Sequence, residues 1–445
     1  MGGAMNIKRV LIANRGEVAK RLIAFYRSLG VESVVAFSEA DAEQSYLDEA
    51  DYAVYLNGRT VGETYLDPHR VVSAALDAGC DAIHPGYCFL AEHVGFYSIA
   101  TNANIAVYGC DPTVISKVVD RAGVRRMAKT LGIPLIPGTE PLAPDDDGIA
   151  AAAQLGFPLF VKGVAGGALA RVDDTDEVAE AVKDIRRLAR AVSGDPTVFL
   201  ERAVDDQRHI GVTVVADREG NVVHLGPMDG SLEVRYRTWV EELGQEIVPD
   251  VADKITAASV ELARALGWVG VGKARWAVTP HGGWYLLGFS ARIATGYSLT
   301  EAVHGVDLIS TQKMALEGEH VPWTQEDAAL TKHGVQLRVF HVDTHDLSRP
   351  EGVITRLVVP EGDVKVDLGV EEGLPCNEDS EPLLAKLTAV APTRQAALVK
   401  ARKALDELVI EGVPTNQALL KSLFDSEDFW NGTYDVQTLE PLRGH

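Results

Sequence analysis

The first regular segment of the chain reads Arg9-Val10-Leu11-Ile12-Ala13-Asn14-Arg15-Gly16-Glu17. Its apolar run predicts a short strand over Arg9–Ala13, and helical periodicity predicts a helix over Glu17–Leu29 that ends at Gly30. A strand that leads directly into a helix is typical of a parallel, doubly wound sheet. The turn between them lacks the pattern G-x-G-x-x-G, so the usual dinucleotide-binding fingerprint is missing.

The same alternation of strands and helices continues along the first quarter of the chain. We expect further strands at Ser33–Phe37, Asp81–His84 and Asn104–Tyr108, and a helix at His69–Ala78. The predicted fold class is therefore α/β, with an N-terminal doubly wound parallel-sheet domain.

Two further units follow a turn-rich stretch that ends near Asp146. The second unit is small, with strands expected at Pro158–Lys162, Leu169–Val172 and Thr197–Glu201 and a helix at Thr175–Ala191. The third mixes strands at Ile210–Ala216, Val222–Leu225, Val269–Val278 and Trp284–Phe289 with helices at Asp250–Leu266 and Arg394–Ile410. We therefore expect a mixed α/β C-terminal region.

The composition narrows the classes of partner. The 445 residues include 42 Lys+Arg and 64 Asp+Glu, a formal net charge of −22, which argues against nucleic acid or an anionic membrane as the main partner. No apolar run approaches the ~18 residues that a membrane span needs. The cysteines lack metal-binding or redox spacing, so we expect reduced thiols and a cytoplasmic location. They are Cys80, Cys88, Cys110 and Cys376.

Four motifs in order along the chain resemble the biotin carboxylases. The first is Ile12-Ala13-Asn14-Arg15-Gly16-Glu17, and the second is Ile83-His84-Pro85-Gly86-Tyr87-Cys88-Phe89-Leu90, where Cys88 replaces a glycine of the family. The others are Leu384-Ala385-Lys386-Leu387 and Val413-Pro414-Thr415-Asn416. The resemblance covers essentially the whole chain from Met5.

This resemblance implies an ATP-grasp fold with a small lid domain. The expected parts are an N-terminal domain (5–115), a linker helix region (116–136), a lid (137–204) and a C-terminal body (205–445), with the ligand cleft between lid and body. Family members use Mg-ATP and bicarbonate to carboxylate biotin, and a homodimer is expected. The sequence contains no Met-Lys-Met biotin-attachment motif, so a role in carboxylation would need other carboxylase subunits.

The positions that hold metal in the family carry other residues here. Mg²⁺ requires oxygen ligands, mostly carboxylates. By the resemblance, the two glutamates and the asparagine of the family correspond to Arg275, Gly288 and Ser290. The sequence therefore predicts no metal site.

The position of the catalytic base is also changed. By the resemblance, the base glutamate corresponds to Gly296, and a lysine that holds bicarbonate corresponds to Thr238. Tyr236 and Tyr297 stand where the family has histidines. The glycine run of the lid is reduced to Gly163–Leu169, which contains two adjacent glycines and is also consistent with an ordinary hairpin.

Several charged residues of the family cleft are kept or replaced conservatively. Arg121 takes the place of a lysine, and the expected ligand-binding residues are Lys162, Glu201, Arg202, His209, Arg235, Arg275, Arg292 and Arg338. Because unpaired buried positive charge is costly, we expect an anionic ligand in the cleft or internal carboxylates such as Glu233, Asp229 or Glu241.

Three functions are compatible with these residues. The first is a non-catalytic pseudoenzyme that binds a ligand or scaffolds a carboxylase assembly. The second is a repurposed enzyme, independent of metal and ATP, that performs acid–base or cyclisation chemistry on an anionic or aromatic small molecule. Its candidate catalytic residues are Tyr236, Glu233, Asp229, His209 and Tyr297. The third is an active biotin carboxylase with displaced ligands.

The residues do not fix the identity of a cofactor. Glu201 and Lys162 leave ATP or ADP binding open, and Arg275 could meet phosphate charge in place of a metal. Such binding would not depend on Mg²⁺.

Overall fold

The structure, a computed structural model, describes residues 7–165, 167–235, 237–244, 247–248 and 250–439. It contains a parallel sheet at the N-terminus, a small antiparallel sheet in the lid, and a large antiparallel sheet in the C-terminal body. The predicted fold class is thus confirmed.

The N-terminal sheet has the strand order β3-β2-β1-β4-β5, with every neighbouring pair parallel. Its strands are Arg9–Ile12 (β1), Glu32–Phe37 (β2), Tyr52–Tyr55 (β3), Ala82–His84 (β4) and Ala106–Val107 (β5). The helices of this region are Gly16–Ser28 (α1), Tyr46–Glu49 (α2), Pro68–Asp77 (α3), Val94–Asn102 (α4), Pro112–Val119 (α5) and Arg121–Thr130 (α6). Ligands of such sheets bind beyond the carboxyl ends of the strands, which is where the turn after β1 lies.

The lid is a three-stranded antiparallel sheet in the order β7-β6-β8, covered by two helices. Its elements are Ile149–Leu155 (α7), Leu159–Gly163 (β6), Leu169–Val172 (β7), Thr175–Ser193 (α8) and Val198–Arg202 (β8). A separate apolar core that includes Leu159, Val161 and Val178 lies between the sheet and the helices.

The body is built on an eight-stranded sheet in the order β13-β12-β9-β10-β11-β14-β19-β17. Its strands are Arg208–Ala216 (β9), Val222–Val234 (β10), Arg237–Leu243 (β11), Gly270–Val278 (β12), Trp284–Ser290 (β13), His333–Phe340 (β14), Val364–Leu368 (β17) and Leu383–Ala391 (β19). Short two-stranded pairs join Gly352–Val353 (β15) to Pro375–Cys376 (β18), and Arg356–Val358 (β16) to Val409–Glu411 (β20). The helices are Val251–Leu266 (α9), Tyr297–His304 (α10), Leu308–Glu317 (α11), Arg394–Glu407 (α12), Gln417–Leu423 (α13) and Glu427–Asn431 (α14).

The turn after β1 connects the N-terminal sheet to the C-terminal region. The side-chain amide of Asn14 donates to the carbonyls of Pro85 and Tyr87, each at 2.7 Å, and so holds two of the sequence motifs together. Arg15 donates to the carbonyl of Asp379 at 2.6 Å and pairs with Glu381 at 3.1 Å. One side of the cleft is therefore formed by residues from opposite ends of the chain.

Glu17 stands at the centre of a buried polar cluster, which we call the Glu17 cluster. It accepts hydrogen bonds from Tyr87 and, at 3.0 Å, from Tyr297, and it pairs with Lys386 at 2.8 Å. The ammonium of Lys386 also lies 4.2 Å from the centre of the Tyr297 ring. The side chain of Lys386 is 0% exposed, so Glu17 supplies the countercharge that its burial requires.

Within the part of the chain that the structure describes, no helix combines the length and the apolar character needed to cross a membrane.

Candidate active site

A cavity of about 700 Å³ opens onto the face of the body sheet that lies beside the turn after β1. Asn14 and Arg15 of that turn line one side, and the C-terminal segment that includes Glu381 lines another. The charged residues that the sheet and its adjoining loops contribute include His209, Glu233, Arg237, Glu241, Lys273, Arg275, Arg292 and Arg338.

Strand alternation places Lys273 and Arg275 on the same face of β12, because side chains two residues apart point to the same side. Arg275 is flanked by glycine on both neighbouring strands, opposite Gly211 of β9 and Gly288 of β13. These two glycines leave room for the long side chains of β12. The positions beside Arg275 therefore lack the side chains that would fill the space its guanidinium needs.

The guanidinium of Arg275 has no direct partner in this wall. Among the described residues this group forms no hydrogen bond or ion pair, although the carboxylates of Glu92 and Glu233 are near enough to act on its charge. Burial and the neighbouring charge of Arg292 lower the pKa of Arg275. Its guanidinium can therefore bind an anion without first breaking an ion pair.

Arg292 is neutralised by a carboxylate of the N-terminal region. Glu92 pairs with its Nε at 2.9 Å and also accepts the backbone N–H of Ala291 at 2.8 Å. Burial opposes charge on both side chains, yet their mutual attraction raises the pKa of Arg292 and lowers that of Glu92. Both groups are therefore charged in the resting site.

Glu241 of β11 is held between two cations, Arg338 from the neighbouring strand β14 and Lys273 from β12, which lies three strands away in the sheet order. Its Oε1 accepts from Lys273 at 2.9 Å, and its Oε2 pairs with Arg338. Burial alone would raise the pKa of Glu241, but the charges of Arg338 and Lys273 lower it. Arg338 also donates to the carbonyl of Thr238 at 3.1 Å, which fixes its position in the wall.

His209 and Glu233 form a second acid–base pair in the same cavity. The Nδ1 atom of His209 lies 3.2 Å from Oε1 of Glu233. The backbone N–H of His209 donates to Ser231 at 2.9 Å.

Charged residues of the lid lie next to charged residues of helix α6. Glu201 on β8 is paired with both Lys162 on β6 and Arg125 on α6. Arg121 donates to the carbonyl of Gly163 at 3.3 Å, and burial, together with the nearby charge of Arg275, lowers its pKa to about 10. Arg121 and Arg275 are thus neighbouring cations, and neither guanidinium is directly paired with a carboxylate in the described residues.

The donor set does not fit a divalent metal at the family positions. Arg275 presents a guanidinium, Gly288 has no side chain, and Ser290 offers a neutral hydroxyl. In the described residues, no three His, Cys, Asp or Glu side chains are grouped so that they could hold a metal ion. We therefore derive no chemical step through Mg²⁺.

The structure brings together six of the residues that the sequence suggested for the site. They line the one cavity and are His209, Glu233, Glu241, Arg275, Arg292 and Arg338, while Lys162 and Glu201 are paired within the lid.

Four other suggested residues lie away from this cavity. Asp229 is buried in a pair with Arg208 at 2.7 Å, and Tyr297 belongs to the Glu17 cluster. Arg202 donates to the carbonyl of Leu155 in the lid at 3.2 Å, and Arg235 is exposed in the turn between β10 and β11. Tyr236 lies outside the described residues.

Sequence reasoning missed Lys273 and Glu92. Lys273 could have been found, since it precedes Arg275 by two residues on a predicted strand and must share its face. Glu92 carried no such signal because its partner, Arg292, is 200 residues away along the chain.

Three family models match consecutive parts of the chain. They are the biotin carboxylase N-terminal domain over residues 6–115, the ATP-binding domain of the carbamoyl-phosphate synthase L chain over 120–322, and the biotin carboxylase C-terminal domain over 336–441.

Individual relatives match the chain along almost its full length. Biotin carboxylase of Halalkalibacterium halodurans is 33% identical over 96% of this chain and 95% of its own. The biotin carboxylase domain dimer of the Hydrogenobacter thermophilus 2-oxoglutarate carboxylase, solved with MgADP, ADP and bicarbonate, has a TM-score of 0.92 at 29% identity, with 99% of each chain covered. A thermophilic 2-oxoglutarate carboxylase domain bound to ADP without magnesium, with a disordered phosphate tail, has a TM-score of 0.81 at 29% identity and 99% coverage of each chain.

These comparisons correct the prediction of function. The expectations of a non-catalytic pseudoenzyme and of a repurposed enzyme that does not use ATP are wrong. Full-length relatives at about a third identity are named biotin carboxylase, and a neighbour with the same fold was solved with MgADP and bicarbonate.

Proposed function

The chain belongs to the biotin carboxylase family, and on this basis we propose that it uses ATP and bicarbonate to carboxylate biotin in the cavity described above. The observation that carries this proposal is the match to a named biotin carboxylase over 96% of the chain. The cavity of about 700 Å³ adds a site of suitable size and charge, since its wall supplies several cations for anionic substrates.

The bicarbonate and biotin end of the cavity lies at Arg292 and Arg338. Both are arginines, whose planar guanidinium can hold a small oxyanion through two parallel hydrogen bonds. Arg292 is paired with Glu92, and Arg338 is paired with Glu241. These pairs keep the guanidinium groups oriented before the substrate enters. An incoming oxyanion would share them with those carboxylates.

The nucleotide end lies toward the lid. Lys162 and Arg121 supply positive charge from the lid side, and the paired Glu201 carries an acceptor to the same edge. His209 lies in the cavity wall, where its ring can donate to a ribose or phosphate oxygen.

We also propose that Arg121 and Arg275 neutralise the negative charge of the nucleotide phosphates in this chain. Arg275 stands at a family metal position and has no direct partner among the described residues, so it can pair with phosphate at little cost. The 2-oxoglutarate carboxylase domain without magnesium binds ADP with a disordered phosphate tail. In this chain we expect the two arginines to order that tail without a metal.

The same proposal includes other polypeptides. The H. thermophilus neighbour is one domain of a carboxylase and forms a dimer. We infer that this chain forms a homodimer and acts together with a carboxylase subunit that carries biotin. We also propose that it is located in the cytoplasm.

The test is phosphate release from ATP by the purified chain in the presence of bicarbonate and free biotin. It is run once with Mg²⁺ and once with EDTA. We expect ATP cleavage that rises when bicarbonate and biotin are added. If neither bicarbonate nor biotin changes the rate in either condition, the proposed function is overturned.

Titration calorimetry with ATP in EDTA tests the role of the two arginines. Binding in EDTA is the expected result, and binding that requires Mg²⁺ would contradict it.

A further inference from the structure

The carboxylate of Glu241 occupies the space in front of Gly296. A Cβ atom added at Gly296 would overlap Oε2 of Glu241 and would lie 2.8 Å from its Cδ and 3.2 Å from Nη2 of Arg338. Position 296 is where the resemblance places the family's base, and the chain has no side chain there. A carboxylate is nevertheless present at this place, delivered from β11 instead of from the start of α10.

A lysine has been displaced in the same way. Thr238 stands where the family's bicarbonate-binding lysine would be, but Lys273 brings an ammonium group to the same wall from β12. Its side chain crosses Gly211, where an added Cβ would overlap Cε of the lysine. The ammonium ends 2.9 Å from Oε1 of Glu241.

We propose that Glu241 is the general base of this chain and that Lys273 is the cation that holds bicarbonate beside it. This assignment rests on the proposed function and names the residues that perform its first step. Both side chains line the cavity, so a small anion that enters it can reach them.

The proton transfer proceeds between two oxygens. The Glu241 carboxylate accepts the proton of bicarbonate, which becomes carbonate while the carboxylate becomes a neutral carboxyl group. A carbonate oxygen then bonds to the terminal phosphorus of ATP as the bond from that phosphorus to the bridging oxygen breaks, and that electron pair leaves with ADP. Glu241 returns its proton to water and is ready for the next cycle.

The two cations explain how a carboxylate held so firmly can act as a base. In the resting site, Lys273 and Arg338 stabilise the charged form of Glu241. When bicarbonate enters, the same two donors turn toward it, and Glu241 is left beside a second negative charge. Both changes raise the proton affinity of Glu241. The carbonate that forms then accepts the hydrogen bonds of Lys273 and Arg338 that Glu241 no longer accepts.

The first test compares Glu241→Gln with Glu242→Gln on the same strand. Glu242 is also buried, but its side chain lies on the other side of the sheet. There its Oε2 pairs with Nε of Arg394 at 2.7 Å. In the metal condition that supports wild-type turnover, we expect kcat for bicarbonate-dependent ATP cleavage to fall roughly 10²-fold or more in Glu241→Gln. Glu242→Gln should keep the wild-type rate.

The second test moves the carboxylate back to position 296. Gly296 has a φ of −77°, which any residue can adopt, so the main obstacle to a side chain there is Glu241, with a closer than usual contact to Nη2 of Arg338 at 3.2 Å. The double variant Glu241→Ala/Gly296→Glu should regain at least about 10-fold in kcat over Glu241→Ala, because a carboxylate again faces bicarbonate. A purely structural role for Glu241 would give no such rescue.

The third test concerns Lys273. In Lys273→Met we expect the KM for bicarbonate to rise about 10-fold, because one charged hydrogen bond to the anion is lost, with a smaller change in kcat. An unchanged KM would remove Lys273 from the assignment.

The outcomes separate this assignment from the proposed function. A wild-type protein that cleaves no ATP in any condition overturns the proposed function, and the assignment falls with it. An active wild type with an equally active Glu241→Gln variant overturns the assignment alone. If Glu241→Gln does not fold, the double variant decides, since a folded but inactive double variant would also contradict it.

Discussion

Arg275 places a permanent positive charge where the family resemblance leads one to expect a carboxylate. The substitution changes the local charge by two units, and glycines on both neighbouring strands give the guanidinium room. Its charge is close enough to that of Arg121 to lower the pKa of Arg121. A site of this kind attracts phosphate directly and repels a divalent cation.

Arg275→Glu should reverse the metal dependence of nucleotide binding. Loss of a charged hydrogen bond to phosphate costs about 1.5–3 kcal/mol, so ATP affinity in EDTA should fall roughly 10- to 100-fold. Mg²⁺ should restore part of it, since a carboxylate now faces the phosphates. Titration calorimetry with and without Mg²⁺ measures both effects.

Arg187→Glu is the matched control, because Arg187 is an exposed arginine on lid helix α8 whose side chain is 81% exposed. It should bind ATP as the wild type does. If Arg275→Glu also bound ATP normally in EDTA, Arg275 would not be a phosphate ligand.

For single residues, the sequence shows which functional side chains of the family are absent, but it does not show which other residues take their place. Gly296 and Thr238 could be identified as lost functional positions from the resemblance alone. The sequence could not predict that Glu241 and Lys273 supply a carboxylate and an ammonium group near these positions. Each side chain comes from a different strand, and its path depends on the space left at a glycine elsewhere in the chain.

Among the elements of the fold, β9 and β12 position the cations of the cavity. Gly211 of β9 lies opposite Arg275, and its lack of a side chain lets Lys273 reach across to Glu241. The spacing of the charges is therefore set by the pairing of these two strands.

Gly211→Ala should destabilise the protein, because the new Cβ would overlap the end of the Lys273 side chain, which cannot move aside without leaving its buried pair with Glu241. Overpacking of this kind costs typically about 1–3 kcal/mol. Gly230→Ala is the matched comparison in the neighbouring strand, since its nearest atom would be Cγ2 of Thr238 at 3.5 Å, an ordinary contact. Denaturant unfolding of both variants should show a clear loss for the first and little change for the second, and equal stabilities would contradict the account.

The predicted elements agree with the structure where periodicity is strong. The helix predicted over Glu17–Leu29 is found as Gly16–Ser28. The helix predicted over Arg394–Ile410 ends earlier, at Glu407, because the chain then forms β20 and pairs with β16. Strands such as β15 and β18 have two residues each, too few to show any periodicity.

For the whole molecule, the Glu17 cluster connects regions that are far apart in the sequence. Glu17 comes from α1, Tyr87 from the second motif, Tyr297 from α10 and Lys386 from β19. The motifs that carried the resemblance therefore include residues that hold the body against the N-terminal sheet.

Glu17→Gln should lower the free energy of unfolding by about 3–5 kcal/mol, because it leaves the buried ammonium of Lys386 without its principal countercharge. Glu32→Gln is the control, since Glu32 pairs with Arg9 at the surface, where its side chain is 47% exposed, and should change stability by less than about 1 kcal/mol. Thermal and denaturant unfolding compare the two. A loss in Glu17→Gln no larger than in the control would show that the cluster contributes little.

The overlap at Gly296 also limits the order in which mutations could accumulate. A glutamate at position 296 would push the Glu241 carboxylate out of its pairs with Lys273 and Arg338, so we expect that single substitution to be harmful even where the double change is tolerated. Shortening residue 241 first opens the position but removes the carboxylate. Return to the family arrangement would then pass through a less fit intermediate by either route, and such sign epistasis would preserve the present arrangement.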